Sequence, residues 1–473
     1  MMQASQISAA TKGTLVGADT ILRDISINTR EECSGRLFVA LKGENFDSHD
    51  FIAQAEQAGA AAVLVEREVD TLLPMILVES THAALLDLSA WWRRQFVIPV
   101  VGVTGSVGKT TVKEMLACIF GELGKGVVTK GNLNNEIGVP LTLMRLSVDD
   151  QYAIVEMGMN HAGEISRLTH SAMPTIAMVN NAGAAHLEGL GSVEAVAQAK
   201  GEIYQGLVSD GTAIVNLDDD YADTWLAMVK GYKCLSFGLN ASADVTAEYK
   251  EAKRGRGLVI KARAKGKKLK IKLNTIGEHS VRNALAAIAV ATAAKVPASM
   301  IEQGLSKFSP VSGRLNVERL PGVDLIDDTY NANPASMRSA IKVLVRSERN
   351  ILIVGDMAEL GAAAEMEHKA LGEQAAKRGV KHLLACGRYA QLVATGFGVG
   401  ARAFLTQEEL IDYLNQGSTA EALLGSADES SSDEGTVGTI LVKGSRSSKM
   451  ERVVELLHMQ LGSDSSNDGR GEG

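Results

Sequence analysis

Residues 100–111 read Val-Val-Gly-Val-Thr-Gly-Ser-Val-Gly-Lys-Thr-Thr, and this stretch decides the fold. An apolar run is followed by a turn that contains Gly105 and Gly108, and Lys109 comes directly after this turn. The next residues have helical spacing, which predicts a strand, a glycine-rich turn and an amphipathic helix in succession. The apolar face of the predicted helix consists of Val112, Met115, Leu116, Ile119, Phe120 and Leu123.

The same stretch predicts a phosphate site. Backbone N–H groups and the positive end of a helix dipole attract anions, while Lys109 adds a charge and Thr110 or Thr111 a hydroxyl for Mg²⁺. The standard phosphate loop has glycine five residues before Gly108, where this chain has Val103, so the loop is a variant. The alternative is a glycine turn with a surface lysine. The order of strand, turn and helix favours nucleotide binding.

Size and composition narrow the class of protein. The 473 residues suffice for about three domains. A net charge of −8 argues against non-specific nucleic-acid binding, which needs a basic face. No signal peptide is visible, and the apolar run at 284–294 is too short for a membrane span. We expect a cytoplasmic protein without membrane insertion. The cysteines are too far apart for a zinc site or a redox pair: Cys33, Cys118, Cys234 and Cys386.

Three α/β segments follow one another along the chain. Residues 1–98 alternate strand-like and helical runs, with polar loops at 28–30 and 42–49 that read as ligand contacts or as solvated turns. From Pro99 onward, strands at 100–104, 152–155 and 175–179 predict a parallel sheet whose carboxyl ends share one edge. The phosphate loop, Glu156 and the segment 180–186 should meet at that edge.

The third segment begins near residue 315. Strands at 323–326, 351–354, 382–385 and 439–442 predict a doubly wound domain. Asn333 should cap a helix that begins at Pro334. Residues 426–435 and the tail from 462 are acidic and Ser/Gly-rich, and we expect them to be disordered. Alternation within 245–275 predicts a basic hairpin, to which we assign no function.

Lys200 lies on an apolar helical stripe that also contains Val193, Val196, Ala197, Tyr204 and Leu207. Such a lysine normally extends its ammonium to the surface. If its amine is buried instead, desolvation lowers its pKa, and a neutral amine can react with CO₂ to form a carbamate. With Glu156 and His186, a carbamate at Lys200 could hold two Mg²⁺ ions across a bound polyphosphate.

These motifs resemble the Mur ligase family over nearly the whole chain, from about residue 25 to 457. Within the family, three segments point to the member that adds D-alanyl-D-alanine: the Asn-rich residues 131–140, residues 327–334 and residues 355–361. The resemblance is carried by residues 104–111, 131–140, 156–158, 186–188, 199–202, 313–314, 327–334 and 355–361.

The resemblance implies an α/β fold of three domains, with a central ATPase domain built on a parallel sheet and a C-terminal Rossmann-like domain. The implied boundaries are 1–98 for the UDP-substrate domain, 99–314 for the ATP domain, 315–461 for the third domain and 462–473 for a tail. The implied reaction joins D-alanyl-D-alanine to UDP-N-acetylmuramoyl-tripeptide through an acyl phosphate, with ATP and two Mg²⁺ ions. We expect a monomer.

The resemblance also assigns roles to residues. Lys109, Lys200, His186 and Arg314 are the implied catalytic residues, and His186 or Asp356 could accept the amine proton. Thr110, Glu156, His186 and carbamylated Lys200 are the implied metal ligands. The implied ATP contacts are Gly105, Ser106, Val107, Gly108, Lys109, Thr110, Thr111, Asn283, Arg314, Asp328, Tyr330 and Asn333. The implied substrate contacts are Asn28, Thr29, Arg30, Lys42, His49, Asn132, Asn134, Asn135 and Asp356.

Two positions depart from the family pattern: Ser280 replaces the usual Asn after His279, and Ser106-Val107 replaces a more usual pair. Three alternative functions share parts of this pattern. Folylpolyglutamate synthase shares the fold and chemistry but lacks a first domain like residues 1–98. A regulatory nucleotide-binding protein would hydrolyse ATP without needing an amine. An inactive homologue conflicts with the presence of Lys109, Glu156, His186 and Lys200.

Overall fold

The computed structural model describes residues 1–43, 45–185, 187–252, 257–416 and 438–462. The chain forms two compact units. The first contains Met1–Asn181, Ala197–Thr246 and Ala286–Gly304, and the second contains Ala182–Val196, Ala247–Leu285 and Leu305–Gly473. The domain boundaries at 98, 314 and 461 stay predictions. The segment 426–435 and the tail from 463 lie outside the described residues, whereas Gly462 ends a helix.

The first unit begins with a small mixed sheet. Its five strands run in the order β2-β7-β6-β5-β4, with β2 antiparallel to β7 and the other pairs parallel. Apolar side chains of β5 and β6 are buried on both faces, which is typical of a parallel sheet covered by helices. Outside this sheet, β1 and β3 form a separate antiparallel pair. The strands of both sheets are β1 (Met2–Gln3), β2 (Thr14–Val16), β3 (Ile21–Leu22), β4 (Ile25–Ser26), β5 (Leu37–Val39), β6 (Ala62–Val65) and β7 (Met75–Leu77).

The phosphate loop follows the centre of a parallel sheet in the same unit. The strand order is β13-β12-β11-β8-β10-β9, so β8 lies between β11 and β10. All five residues of β8 are buried. The predicted common edge is therefore confirmed for the loop, Glu156 and Asn180. The strands are β8 (Val100–Thr104), β9 (Val127–Val128), β10 (Ala153–Glu156), β11 (Ile176–Val179), β12 (Thr212–Asn216) and β13 (Lys233–Phe237).

The second unit contains the predicted doubly wound sheet. Its order is β17-β18-β22-β19-β20-β21, and only the β17–β18 pair is antiparallel. Side chains of Ile351 and Ile353 enter one apolar core, while those of Leu352 and Val354 enter another, so both faces are covered. The strands of this sheet are β17 (Asn316–Leu320), β18 (Val323–Asp328), β19 (Asn350–Val354), β20 (His382–Cys386), β21 (Ala401–Phe404) and β22 (Gly438–Lys443). Three further strands do not belong to it, of which β15 and β16 pair antiparallel: β14 (Val245–Glu251), β15 (Leu258–Ala264) and β16 (Lys267–Leu273).

The helices confirm the predicted cap at Asn333 and correct the predicted extent of the phosphate-loop helix. Asn333 caps its helix through a bond from the Ser336 amide, with Pro334 in the first turn. The phosphate-loop helix ends at Phe120, so Leu123 lies beyond it and is 39% exposed, contrary to the prediction. No described helix is both long and apolar enough to cross a bilayer. The helices are α1 (Ala4–Ala10), α2 (Ile52–Gln57), α3 (Thr81–Arg93), α4 (Lys109–Phe120), α5 (Gly138–Met144), α6 (Glu164–Ala172), α7 (Leu187–Leu190), α8 (Val193–Gly201), α9 (Ala222–Met228), α10 (Glu278–Ala293), α11 (Ala298–Lys307), α12 (Pro334–Leu344), α13 (Ala364–Arg378), α14 (Ala390–Phe397), α15 (Gln407–Asn415) and α16 (Glu451–Gly462).

Candidate active site

The phosphate loop connects β8 to the first turn of α4. Gly108 has φ of +80°, a left-handed conformation that glycine adopts without a Cβ clash. A Cβ at Gly105 would lie 2.9 Å from the Cβ of Asn180, so only glycine lets the two strands approach this closely. The Lys109 ammonium donates to the Gly105 carbonyl at 2.7 Å and so lies across the loop. The loop therefore has the compact shape that a phosphate site needs.

Two asparagines after β11 brace this loop. The Val107 amide donates to the Asn181 side-chain oxygen at 2.9 Å, and the Ser106 amide donates to the Asn181 carbonyl at 3.0 Å. The Asn180 and Asn181 side chains both donate to the Val107 carbonyl at 2.9 Å. The predicted ATP contacts of Ser106 and Val107 would thus require these amides to leave Asn181. We infer that the first turn of α4 supplies the main anion contacts.

Glu156 lies at the end of β10 and is 2% exposed. One carboxylate oxygen accepts the Thr110 hydroxyl at 2.9 Å, and the other accepts the Asn134 amide at 2.8 Å. The structure thus brings together Thr110, Asn134 and Glu156, which are far apart in sequence. A buried carboxylate beside a hydroxyl is a hard oxygen donor set, which suits Mg²⁺. These residues fit the predicted metal.

Lys200 is fully buried in α8. Its Nζ has no hydrogen-bond partner among the described residues. Desolvation, together with repulsion from Lys109, holds the pKa of Lys200 well below its usual value of 10.5. The predicted burial on the apolar stripe is confirmed, and the alternative in which the ammonium reaches the surface is wrong. The amine is neutral over a wider pH range than an exposed lysine.

His186 lies outside the described residues, so its predicted metal contact stays a prediction. Within the described part of the chain, no group of three His, Cys, Asp or Glu side chains is arranged to hold a metal ion. Glu156 is the carboxylate that contacts the Thr110 hydroxyl.

The Gly/Asn segment contributes unequally to this site. Asn134 reaches Glu156, whereas Asn132 is exposed. The Asn135 side chain accepts the amides of Ile137 and Gly138 at 3.2 and 2.9 Å and so supports the start of α5. Asn135 therefore has a local structural role in this arrangement.

The implied substrate contacts between residues 28 and 49 lie in loops of the first unit. The Asn28 side chain accepts the Arg30 amide at 3.0 Å, which shapes an exposed turn that also contains Thr29. The Lys42 side chain is exposed. His49 is different, since its side chain is fully buried. Its Nε2 accepts the Glu66 amide at 2.9 Å, and its Nδ1 donates to Asp47 at 2.5 Å, so a substrate contact would require His49 to lose one of these bonds.

Asp328 ends β18 and forms a buried ion pair that the sequence analysis missed. Its carboxylate lies 2.6 Å from the Lys443 ammonium, which also donates to the Asn331 carbonyl at 2.8 Å. The other oxygen accepts the Leu315 amide at 3.1 Å. Burial raises the pKa of Asp328, although Lys443 opposes this effect. The ion pair fixes the loop after β18, which carries Tyr330 and Asn333.

We predict that Lys443→Met lowers the free energy of unfolding by about 3–5 kcal/mol, because Asp328 would stay buried without a counter-charge. Urea denaturation followed by circular dichroism would measure the change. The double variant Lys443→Met/Asp328→Asn should recover part of the loss, since an amide carries no charge. Equal losses in the single and double variants would show that the pair has no such role.

The other predicted nucleotide residues are placed as follows. The Arg314 guanidinium lies over the Tyr330 ring, 4.0 Å from its centroid, a cation–π contact that orients both side chains. Asn283 is buried in α10. Asn333 is occupied as a helix cap. The hydroxyl of Ser280, which departs from the family pattern, donates to the Ile276 carbonyl at 2.8 Å.

Asp356 follows β19, and its carboxylate is engaged by backbone. One oxygen accepts the Arg388 amide at 2.9 Å, and the other accepts the Tyr389 amide at 3.1 Å. Both carboxylate oxygens are therefore occupied by backbone amides, which supports a structural role for Asp356, and its role as the base stays a prediction.

His368 packs beside Asp356 and is buried. Its Nε2 accepts the Met357 amide at 2.9 Å, its Nδ1 donates to the Ala364 carbonyl at 2.7 Å, and its ring stacks on Tyr389. Desolvation lowers the pKa of His368 below 6.5. The folded state therefore favours the neutral form of this ring.

This histidine should make stability sensitive to acid. As the pH falls below about 6.5, the unfolded state binds a proton that the folded state does not, so the contribution present above that pH is lost. We expect His368→Gln to lower stability at pH 7 and to flatten its decline on the acid side. Urea midpoints from neutral to acid pH, compared with wild type, would measure this. Parallel curves would contradict the prediction.

Comparison with known proteins gives consistent matches along the chain. Three family models match successive segments: the Mur ligase family catalytic domain at 22–90, the Mur ligase middle domain at 103–291, and the Mur ligase glutamate ligase domain at 313–446. A UDP-N-acetylmuramoyl-tripeptide–D-alanyl-D-alanine ligase of Escherichia coli (strain K12) is 41% identical over 456 residues, which cover 96% of this chain and 97% of the relative.

Solved structures show the same similarity. A crystal structure of MurF from Acinetobacter baumannii has a TM-score of 0.88 and 34% identity, and the match covers 97% of this chain and 99% of that one. MurF ligase from Thermotoga maritima in complex with ADP has a TM-score of 0.80 and 28% identity, with coverage of 94% and 99%. A folylpolyglutamate synthase of Mycobacterium tuberculosis is 16% identical with a TM-score of 0.63, which shows a shared fold alone.

Proposed function

Because this chain belongs to the Mur ligase family, we propose that it joins D-alanyl-D-alanine to UDP-N-acetylmuramoyl-tripeptide while ATP is converted to ADP and phosphate. The observation that carries this proposal is 41% identity, over nearly the full length of both chains, to a ligase of that name. The product is the pentapeptide precursor of peptidoglycan. The use of ATP favours the cytoplasm as the compartment.

The reaction proceeds in two steps. The terminal carboxylate of the tripeptide attacks the γ-phosphorus of ATP, the bond to the β-phosphate oxygen breaks, and an acyl phosphate and ADP form. The amine of D-alanyl-D-alanine then attacks the acyl carbon, loses a proton, and phosphate leaves as the amide bond forms. Holding both substrates together makes the second step effectively unimolecular, which can lower the barrier by about 7–11 kcal/mol at best.

Residues of the phosphate loop support the first step. The Lys109 ammonium is positioned by Gly105 at the start of α4, where it can stabilise the charge that moves onto the leaving ADP. The α4 dipole adds to this effect. Bound Mg²⁺ would neutralise phosphate charge, and Thr110 and Glu156 are the described residues that fit it. Arg314 is the second proposed phosphate ligand.

We further propose that Lys200 acts as a carbamate. Its neutral Nζ would attack CO₂, forming a nitrogen–carbon bond and releasing one proton, so that the side chain becomes an anion. The complete burial of Lys200 and its unpartnered Nζ among the described residues support this step. The new carboxylate would join Glu156, Thr110 and His186 as the proposed metal ligands.

The remaining assignments are proposals from family resemblance. Adenine or ribose would be contacted by Asn283, Asp328, Tyr330 and Asn333. Lys443 would position Asp328 for this contact through their ion pair. The loops at 28–30 and near Lys42 would contact uridine. We also propose the boundaries 1–98, 99–314 and 315–461 for the three domains.

The decisive experiment is phosphate release in a matrix of substrates. Tripeptide precursors with lysine or diaminopimelate at the third position would each be combined with Ala, D-Ala, D-Ala-D-Ala and Glu. We expect release only with D-Ala-D-Ala, and ligated pentapeptide in the same reactions by mass spectrometry. Release that is independent of any amine would favour a nucleotide-binding regulator, and release with glutamate would favour another ligase.

A further inference from the structure

Lys113 is a lysine in α4 that is 1% exposed, one helical turn after Lys109. A buried ammonium is costly unless it is paired and hydrogen-bonded. Its Nζ donates to the Thr129 carbonyl at 2.9 Å, lies 3.5 Å from the Gly131 carbonyl, and pairs with the Glu114 carboxylate at 2.9 Å. The mechanism described above does not use Lys113.

Residues 129–134, the segment that Lys113 contacts, form hydrogen bonds with Glu156. The Thr129 hydroxyl accepts the Glu156 amide at 3.0 Å, and the Thr129 amide donates to the Ile154 carbonyl at 3.0 Å. Further along, the Asn134 side chain donates to the Glu156 carboxylate at 2.8 Å, and the Asn134 carbonyl accepts the Gly158 amide at 2.8 Å. Residues 129–134 therefore contact Glu156 through both its backbone and its side chain.

We propose that Lys113 is a positioning residue for the metal site. Its ammonium holds the backbone of residues 129–131 against β10, so that Asn134 and Thr129 keep the Glu156 carboxylate directed at Thr110. Groups that orient a metal ligand in this way typically change metal affinity or activity by about 10–100-fold when removed. The inference rests on the proposed function, because Glu156 is a metal ligand only within that proposal.

A purely structural lysine would affect stability alone, so the test measures metal affinity directly. Mn²⁺ would be titrated into the full-length protein with saturating ADP, and bound Mn²⁺ would be followed by electron paramagnetic resonance. We expect Lys113→Met to weaken Mn²⁺ binding about 10–100-fold, at a temperature where circular dichroism shows the variant folded. Lys113→Arg should recover most of the affinity, because it restores a cationic donor.

Arg93 offers a matched control, since it is also a buried cation of the same unit that donates to backbone carbonyls. It is 6% exposed and donates to the carbonyls of Ala172 and Phe96 at 3.1 and 2.6 Å. We expect Arg93→Met to lower stability and to leave Mn²⁺ affinity unchanged. If Arg93→Met and Lys113→Met weaken Mn²⁺ binding equally, general loosening explains the effect and the proposal is wrong.

Two further outcomes separate the inference from the function on which it rests. If wild type with saturating ADP binds no Mn²⁺, the metal site of the proposed function fails and the inference fails with it. If wild type binds Mn²⁺ and the affinity of Lys113→Met equals that of wild type, only the role of Lys113 is wrong. Should Lys113→Met not fold, Lys113→Gln takes its place, because its shorter neutral side chain also loses the contact with Thr129; wild-type affinity in that variant would overturn the proposal.

Discussion

Lys109→Met is expected to reduce ADP formation by roughly 10²–10³-fold, the usual effect of removing one preorganised donor to a developing charge. The Lys109 ammonium lies over the phosphate loop through its bond to the Gly105 carbonyl. In the proposed reaction it neutralises charge as the phosphoryl group leaves ADP. Methionine keeps the length of the side chain and removes only its charge and donors, so the fold should be preserved.

Initial rates of ADP formation and calorimetric titration with ADP would measure this effect. Lys230→Met is a suitable control, because Lys230 is an exposed lysine of the same unit and its removal should leave both quantities unchanged. If Lys109→Met retains wild-type rate and nucleotide affinity, residues 104–111 do not form the phosphate site.

Lys200→Ala should lower ligation by about 10²-fold or more, because the proposed carbamate ligand is lost. Alanine also leaves space, so formate or acetate should restore part of the rate by occupying the position of the carbamate. Wild type should show no stimulation by either anion. In ¹³CO₂-equilibrated buffer, a carbamate signal is expected in the wild-type NMR spectrum and not in that of the variant. Full activity of Lys200→Ala without added carboxylate would exclude the carbamate.

The variant Lys200→Met, kept without CO₂, should lose activity but should not lose stability. The substitution removes a buried amine that has no hydrogen-bond partner among the described residues. Desolvation of such an amine costs about 1–3 kcal/mol. We therefore expect the melting temperature of Lys200→Met to equal or exceed that of wild type. A large loss of stability would indicate that the amine has a structural partner and is not held for chemistry.

Local patterns in the sequence were sufficient to predict most of the fold. The strand, turn and helix around Gly108, the cap at Asn333 and the apolar stripe containing Lys200 each depend on residues within a few positions of one another. The strand order was also accessible in part, because alternating strands and helices imply parallel pairing. These features are set by side-chain periodicity and backbone preference.

Contacts between residues that are far apart in the sequence could not be predicted from such local patterns. Lys443 and Asp328 are separated by 115 residues, and nothing near Lys443 indicates a buried partner. The helical pattern around Lys113 gives no sign that its ammonium is buried, because its partner Thr129 is 16 residues away. The family resemblance implies substrate contacts for His49 and Asn135, yet in the structure their side chains accept backbone amides.

The brace formed by Asn181 has a consequence for biosynthesis. The Val107 amide and its Asn181 acceptor are 74 residues apart, so a nascent chain that has just released the glycine-rich turn from the ribosome lacks the group that shapes it. Long-range pairing of this kind forms late, since the intervening loop must first close. Nucleotide affinity should therefore arise only after translation has passed residue 181, and shorter truncated products would not compete for cellular ATP.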